Sequence, residues 1–429
     1  MTSMSAFSFS SRLVLALLLV AGPGGPAAAQ RPVFKGRDLM PPPATVDPAK
    51  ADPLEATFQS IRTGDQLLVN NCSGTRCGPV TFEDTIRLAD RVKGTTSSLE
   101  TFARLLNQDS RGSFKEMMNR WGSEAPLHQL AVANRMDLAH WNNVDKKWHG
   151  AELRFLFGGN WVTEAKRPVD LTLIVEFELE ALSWKEFRDL AGLWKCDGES
   201  SCVPAVLTWA REAGRLRDVR IRANYNLVQE WRMQQWKLDR VGGWRETLLD
   251  NQLDQSCYKK DTEECADLYT EWDRIVKEPQ AKTWNITTES LLMMGAFYGK
   301  TAGVMPMLKD KLDEHPRRIL GLQQCTQCHL GETNTEFNHV SNRKPSDATA
   351  KLSRFLEGNG PGPTDTIKDI AERAFPVSLT VPGLKSTLER AFYDLGRRRM
   401  FLASVLCSGA EYNIKDQEQI EDYAVNFTH

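Results

Sequence analysis

Residues 170–179 have the sequence DLTLIVEFEL, a run rich in β-branched and aromatic residues that is bounded by turn-forming residues. A second run of this kind, AELRFLFG, occupies residues 151–158. Short runs of this composition predict β-strands. Helical patterns flank them without the regular strand–helix alternation of a parallel sheet. The sequence therefore predicts an α+β fold with antiparallel strands.

Helical signals precede these strands, over residues 80–120. Thr81 with Asp84 and Ser97 with Glu100 have the spacing of a capping box, and an apolar stripe follows the second pair. We expect two helices here whose apolar sides pack into the core. Most of the 12 Trp residues are also expected in the core.

A hairpin is predicted downstream, in EWRMQQWKLDRVGGWRETLLDN at residues 230–251, with a turn at the glycine pair 242–243. Its apolar positions alternate up to Met233 and then take the opposite parity. We interpret that change of parity as a β-bulge near Gln234-Gln235.

From residue 284 onward the composition becomes helical again. The stretch LKSTLERAFYDLGRRRMFLASVLC, residues 384–407, is interpreted as one long helix. Its arginine run, 397–399, is expected on a solvated helix face. The predicted architecture is thus a mixed helix and antiparallel-strand domain over residues 57–283, followed by a mostly helical domain over residues 284–429.

Residues 1–29 predict a signal peptide. Arg12 precedes the apolar run LVLALLLVA, and small residues ending at Ala29 form an A-x-A cleavage site before Gln30. The apolar run is about nine residues long, too short to cross a bilayer core of ~30 Å. Residues 30–56 are rich in proline and predict an arm or linker. We therefore expect a periplasmic or secreted protein with no membrane span after the signal is cleaved.

Charge is nearly balanced, with 54 Lys and Arg, 56 Asp and Glu, and a formal net charge of −2 over 429 residues. This balance does not indicate nucleic acid or an anionic lipid surface as a partner. The chain contains no glycine-rich nucleotide loop, no GxSxG nucleophile elbow and no HExxH metalloprotease motif. The sequence does not decide whether the protein is an enzyme.

The chain has nine cysteines. In an exported protein, close pairs across polar loops predict loop-stapling disulfides. Six of the nine form such pairs, namely Cys72/Cys77, Cys196/Cys202 and Cys257/Cys265. The remaining three are Cys325, Cys328 and Cys407.

Cys325, Cys328 and His329 form the pattern C-x-x-C-H within QQCTQCHLGE. On a helix, residues three and four apart share one face, so two thiols and an imidazole can meet the same haem. The pattern predicts one covalent haem c, with two thioethers and a proximal histidine on the iron. Two alternatives stay open. The cysteines can form a disulfide, with each other or with Cys407, or they can bind zinc with His329 or His339.

The motif resembles the haem-binding motif of the cytochrome c family, which implies Cys325 and Cys328 as thioether sites and His329 as proximal ligand. The wider stretch CTQCHLGETNTEFNHV, with LAVANRMDL and AELRFLFG upstream, looks like a group of large secreted bacterial proteins. The family's downstream methionine has no clear match, because Met400 lies in a helical pattern. His339 is then a candidate sixth ligand or distal residue, and a hydrogen-bonded structural histidine is the alternative.

The leading functional prediction is an exported monohaem c-type protein that transfers electrons or senses redox state or ligands. A redox partner protein would follow from that function. Pure electron carriers are much smaller, so the domain at 57–283 implies partner docking or haem enzymology. The alternatives are a secreted, disulfide-stapled binding or structural protein without haem, and a single-haem peroxidase or oxygenase.

Overall fold

The protein is described here by a computed structural model. It describes residues 34–35, 56–57, 65–67, 72–73, 76–77, 80–96, 98–109, 127–159, 171–195, 199–212, 214–227, 230–239, 243–247, 283–284, 340–341, 351–352, 375–379, 388–392 and 394–409. All of these residues lie within one compact unit, Pro32–His429. The predicted signal peptide, 1–29, lies outside the described residues. So do most of the predicted arm and most of the predicted C-terminal domain, and the predicted domain boundaries stay predictions.

The described elements comprise both strands and helices. The strands are β1 (Phe34–Lys35), β2 (Asp65–Leu67), β3 (Cys72–Ser73), β4 (Arg76–Cys77), β5 (Leu127–Arg135), β6 (His140–Asn142), β7 (Lys147–His149), β8 (Glu152–Gly159), β9 (Leu171–Leu179), β10 (Leu216–Leu227), β11 (Glu230–Asp239), β12 (Gly243–Thr247), β13 (Thr283–Trp284), β14 (Val340–Ser341), β15 (Lys351–Leu352), β16 (Phe375–Leu379) and β17 (Leu388–Phe392). The helices are α1 (Phe82–Lys93), α2 (Ser98–Asp109), α3 (Trp184–Gly192), α4 (Glu199–Ala210) and α5 (Asp394–Cys407), and a 3-10 turn covers Met136–Leu138.

A seven-stranded sheet organises the described residues, in the order β12-β11-β10-β9-β8-β5-β2. Every neighbouring pair in it is antiparallel. Shorter two-stranded ladders join β1 to β13, β3 to β4, β6 to β7, β14 to β15 and β16 to β17. The prediction of an α+β fold with antiparallel strands is confirmed for this part of the chain.

The central strands β8 and β9 match the two runs that predicted them, and they are buried on both faces. Every residue of β8 is buried. Its odd-numbered residues, such as Phe157, lie on one face, and its even-numbered residues, such as Arg154, lie on the other. One face of the sheet is therefore apolar, while the other carries charge.

Helices α1 and α2 cover the apolar face. Phe82 of α1 contacts Phe157 edge to face, at 5.4 Å between ring centroids. The ring centroid of Phe102 in α2 lies 5.5 Å from that of Trp236 and 5.6 Å from that of Trp244. Burying large aromatic rings in this way is the main source of stability for such a layer.

The N-terminal cap of α1 confirms one of the two predicted capping boxes. Thr81 Oγ1 accepts a hydrogen bond from Asp84 N at 3.1 Å, and Asp84 Oδ2 accepts one from Thr81 N at 2.9 Å. The helix ends at Gly94, whose φ of 68° lies in the left-handed region that glycine adopts most easily. Ser97, the predicted second cap, lies outside the described residues.

The predicted bulge in the hairpin is wrong. The register of β10 with β11 runs without a shift across Gln234 and Gln235. Met233 and Trp236, which have opposite parity, are both buried. The parity changes because this strand is covered on both faces, and no extra residue is needed to explain it.

The single helix predicted over residues 384–407 is also wrong. Leu388–Phe392 form β17, which pairs in antiparallel register with β16, and helix α5 starts only at Asp394. A strand partner can override helical propensity in a short segment. Arg398 and Arg399, expected on a solvated face, are buried.

Helix α5 packs against α3. Phe401 contacts Phe187 edge to face at 6.2 Å between centroids. Trp184 Nε1 donates to the carbonyl of Gly409 at 3.0 Å, and Arg188 Nη2 donates to that of Leu406 at 3.2 Å. The bond to Leu406 satisfies a carbonyl in the last turn of α5, and the bond to Gly409 fixes the chain just after the helix. No helix among the described residues is long and apolar enough to cross a membrane.

Candidate functional site: a buried arginine–glutamate network

The residues predicted to hold haem, Cys325, Cys328 and His329, lie outside the described residues, and so does His339. Their arrangement therefore stays a prediction. Cys407, the cysteine that could compete for a disulfide, is the last residue of α5 and is exposed.

One of the predicted disulfide pairs has a defined backbone arrangement. Cys72 in β3 and Cys77 in β4 are direct register partners in an antiparallel ladder. Directly opposite residues have Cα atoms roughly 4.5–5.5 Å apart, a spacing that a disulfide can span. The bridge itself stays a prediction. Cys202 lies in α4, while Cys196, Cys257 and Cys265 lie outside the described residues.

A group of charged side chains occupies the sheet face opposite α1 and α2. Glu152 and Arg154 lie on this face of β8. Arg154 is the register partner of Glu176 in β9, and Glu176 is the partner of Arg220 in β10. Arg222, two residues further along β10, shares the face. These five residues form the arginine–glutamate network.

The contacts within the network are close. Arg154 donates to Glu152 Oε2 from Nε at 3.0 Å and from Nη2 at 2.6 Å. Its Nε also lies 3.3 Å from Glu176 Oε1. Arg220 donates to both carboxylates, and Arg222 Nε lies 3.5 Å from Glu176 Oε2. Each carboxylate therefore faces at least two guanidinium groups.

Polar contacts extend the network to one edge of the sheet. Arg222 Nε donates to Gln235 Oε1 at 2.9 Å, and Gln235 Nε2 donates to Thr247 Oγ1 at 3.1 Å, which carries the chain of contacts to the edge strand β12. A separate buried ion pair lies at the end of β5, where Arg135 donates two hydrogen bonds, of 3.0 and 3.2 Å, to Asp137 in the 3-10 turn.

Burial makes this network costly to assemble. Glu176 is only 1% exposed, and Arg154 and Arg222 are also buried. Removing charges from water costs several kcal/mol per ion, and pairing only roughly offsets that cost. Pairing within the network therefore offsets the cost of burial rather than adding much net stability. The integrity of the network depends on every partner being present.

The carboxylates are held ionised. Burial alone would raise the pKa of Glu176, but the charges of the three arginines, together with a hydrogen bond from Arg220, outweigh burial and lower this pKa to about 2. Burial also raises the pKa of Glu152, and the charges of Arg220 and Arg154 outweigh it, so this pKa is lowered as well. Both groups are negative at neutral pH.

This arrangement limits the chemistry of the network. A general acid or base works best with a pKa near the working pH, and neither carboxylate has one. The network suits fixed electrostatic positioning rather than proton transfer. Among the residues that the structure describes, no group of three or more His, Cys, Asp and Glu side chains is placed to hold a metal ion.

The sequence did not single out this network, although its signal is visible. Charged residues recur at every second position in ELR at 152–154, EFE at 176–178 and RIR at 220–222. Alternation of this kind is typical of a strand with one solvated face. Only the register shows that opposite charges meet, and only the tertiary structure shows that they are buried.

Comparisons of the chain with protein-family models, with curated proteins and with solved structures give no match. The resemblance to the cytochrome c family therefore rests on residues 325–329 and their predicted setting.

Proposed function

We propose that this protein is an exported monohaem c-type protein that transfers electrons or senses redox state or ligands. The observation that carries the proposal is the C-x-x-C-H pattern at 325–329, in a chain whose first 29 residues have the features of an export signal. Export argues against the zinc alternative, because an oxidising compartment disfavours the free thiolates that a zinc site requires.

The donor set fits a covalent haem. Two thiols three residues apart can form thioethers with the vinyl groups, and the adjacent imidazole can bind the iron. Cys325 and Cys328 would hold the macrocycle and His329 would be the proximal ligand. When bound, the haem would supply one-electron chemistry at its iron. His339 is the proposed sixth ligand or distal residue.

The proposed architecture places this haem in a mostly helical C-terminal domain, residues 284–429, beside the α+β domain. Contact between this region and the α+β domain is supported by α5, which packs on α3 through Phe401 and Phe187. The other elements that the structure describes in residues 285–429 are the short strands β14, β15, β16 and β17. Hydrogen bonds from Trp184 and Arg188 fasten the end of α5. A haem domain that packs against a large α+β domain favours a role in docking to a redox partner or in signalling. A small, freely diffusing electron carrier would not need such a domain.

The proposal is tested by haem attachment in the mature protein, produced in a host that matures c-type cytochromes. We expect a haem-stained band on a denaturing gel and a Soret band. Cys325→Ser and Cys328→Ser should each remove one thioether, and the double variant should lose covalent haem. Cys407→Ser is the matched control and should keep it.

Two other results would favour the alternatives. A protein without a Soret band whose thiol count shows a bridge at Cys325 would support the secreted, disulfide-stapled protein. A haem protein whose reduced spectrum shifts with carbon monoxide would have an exchangeable sixth position, as a peroxidase or oxygenase requires.

A further inference from the structure

A histidine pair lies on a short hairpin and is not part of the arginine–glutamate network. Strands β6 and β7 form this hairpin, with His140 and His149 as direct register partners. Their rings lie 5.9 Å apart between centroids and are inclined by 27°. His149 Nε2 lies 2.7 Å from Asp145 Oδ2 in the connecting turn.

The hairpin is held firmly from its other face. Trp148, the neighbour of His149, is buried and stacks on Phe187 at 4.6 Å between centroids. Its backbone exchanges two hydrogen bonds with Leu182, of 2.8 and 2.9 Å. Because side chains alternate along a strand, the tryptophan faces the core while the histidine faces outward.

The turn is equally well defined. Lys146 N donates to the carbonyl of Asn142 at 2.9 Å, and Val144 N donates to the Asn142 side chain at 2.8 Å. Lys147 N donates to Asp145 Oδ1 at 3.2 Å. Asp145 can therefore accept from a backbone amide with one oxygen and contact His149 with the other.

We propose that His140 and His149 form a surface site for a divalent transition-metal ion, with Asp145 as a positioning residue. Metal–imidazole bonds of about 2.0–2.1 Å keep two rings on one ion within roughly 6 Å of each other. The separation of 5.9 Å satisfies that limit. Imidazole suits Zn²⁺, Ni²⁺ and Cu²⁺, and Cu²⁺ binds most tightly in that series.

Asp145 selects the nitrogen that binds. When Nε2 of His149 donates its proton to the carboxylate, the lone pair lies on Nδ1 and can bind an ion. Histidine ligands commonly donate their second N–H to a carboxylate in this way, which orients the ring. Water would complete the coordination, since His149 is 25% exposed and Asp145 40% exposed on their side chains.

The test is a titration of the mature protein with Cu²⁺, followed by calorimetry and by electron paramagnetic resonance. We expect one copper ion whose spectrum shows coupling to two imidazole nitrogens. His140→Gln and His149→Gln should each remove one nitrogen and abolish the tight site. Asp145→Asn should weaken binding about 10- to 100-fold while both nitrogens remain.

Lys147→Gln, on the same hairpin, is the matched control and should bind Cu²⁺ like the wild type. Near-ultraviolet circular dichroism of each variant checks that the tryptophan packing is retained. Copper binding that survives in the His140/His149 double variant would overturn the proposal, and so would a wild type that binds no more copper than that variant. The copper proposal and the haem proposal can fail separately, because copper binding is measured by calorimetry and electron paramagnetic resonance while the Soret band reports the haem.

Discussion

The two faces of the seven-stranded sheet are both buried, but by different chemistry. Under α1 and α2, Phe157 and Trp236 meet other aromatic rings, and their contribution grows with the apolar area removed from water. On the opposite face, Glu176 and its arginines contribute only as a complete set, because an unpaired buried charge is far costlier than the pair. The same strands therefore carry an apolar face, whose contribution grows with the area buried, and a charged face, whose contribution requires every partner.

The largest effect is expected from Glu176→Gln, which removes the carboxylate that Arg154, Arg220 and Arg222 share. Unpairing a buried charge costs about 3–5 kcal/mol in the free energy of unfolding. Urea denaturation at pH 7 measures this cost. Glu178→Gln is the control on the same strand, since the Glu178 side chain is 34% exposed and its ion pair with Arg217 spans 3.4 Å. Its cost should stay below about 1 kcal/mol.

Phe102→Ala tests the apolar face, and its expected loss in the free energy of unfolding is similar to that of Glu176→Gln. Truncating a buried phenylalanine costs about 3–5 kcal/mol through lost burial and the cavity left behind. Urea denaturation of Phe102→Leu, the milder control, should show a clearly smaller loss. An equal loss in both variants would contradict close packing against Trp236 and Trp244.

The two faces of the sheet should differ in how their contribution to the free energy of unfolding depends on pH. The pKa of Glu176 falls from an ordinary value of 4.5 to about 2 on folding, so its stabilisation is present above pH 4.5. That stabilisation, roughly 3 kcal/mol, is lost as the pH falls from 4.5 towards 2. The penalty of Glu176→Gln should shrink over the same range, while that of Phe102→Ala should not. Denaturation series from pH 7 to pH 2 measure both, and parallel curves would count against the network.

A smaller effect is expected at the cap of α1, the helix that covers the apolar face. Thr81→Ala removes the oxygen that accepts from Asp84 N and should cost about 1 kcal/mol. Thr81→Ser keeps that oxygen and should stay close to the wild type in thermal unfolding. A full loss in the serine variant would show that the methyl group, rather than the hydrogen bond, matters.

Local patterns predicted the local structure well. The two β-rich runs give β8 and β9 within one residue of the expected bounds, and the Thr81 capping box starts α1. Failures occur where a distant partner decides the outcome. Leu388–Phe392 is a strand because β16 pairs with it. The parity change after Met233 reflects burial on both faces of β11.

The arginine–glutamate network could not be predicted from sequence patterns, because it too depends on residues that are distant in the chain. Alternating charges in β8, β9 and β10 predict a solvated face, and nothing local specifies which arginine meets which glutamate. The burial of Arg398 and Arg399 in α5 was not predicted either, because it depends on which elements pack around the helix. The proposed haem site differs, because the pattern that predicts it consists of five consecutive residues, 325–329.

The most direct measurement of the central claim is the intact mass of the purified mature protein from a host that matures c-type cytochromes. We predict a mass greater than that of the polypeptide by one haem, which is lost in the Cys325/Cys328 double serine variant and kept in Cys407→Ser. A wild-type mass equal to that of the polypeptide alone would contradict the proposed haem attachment.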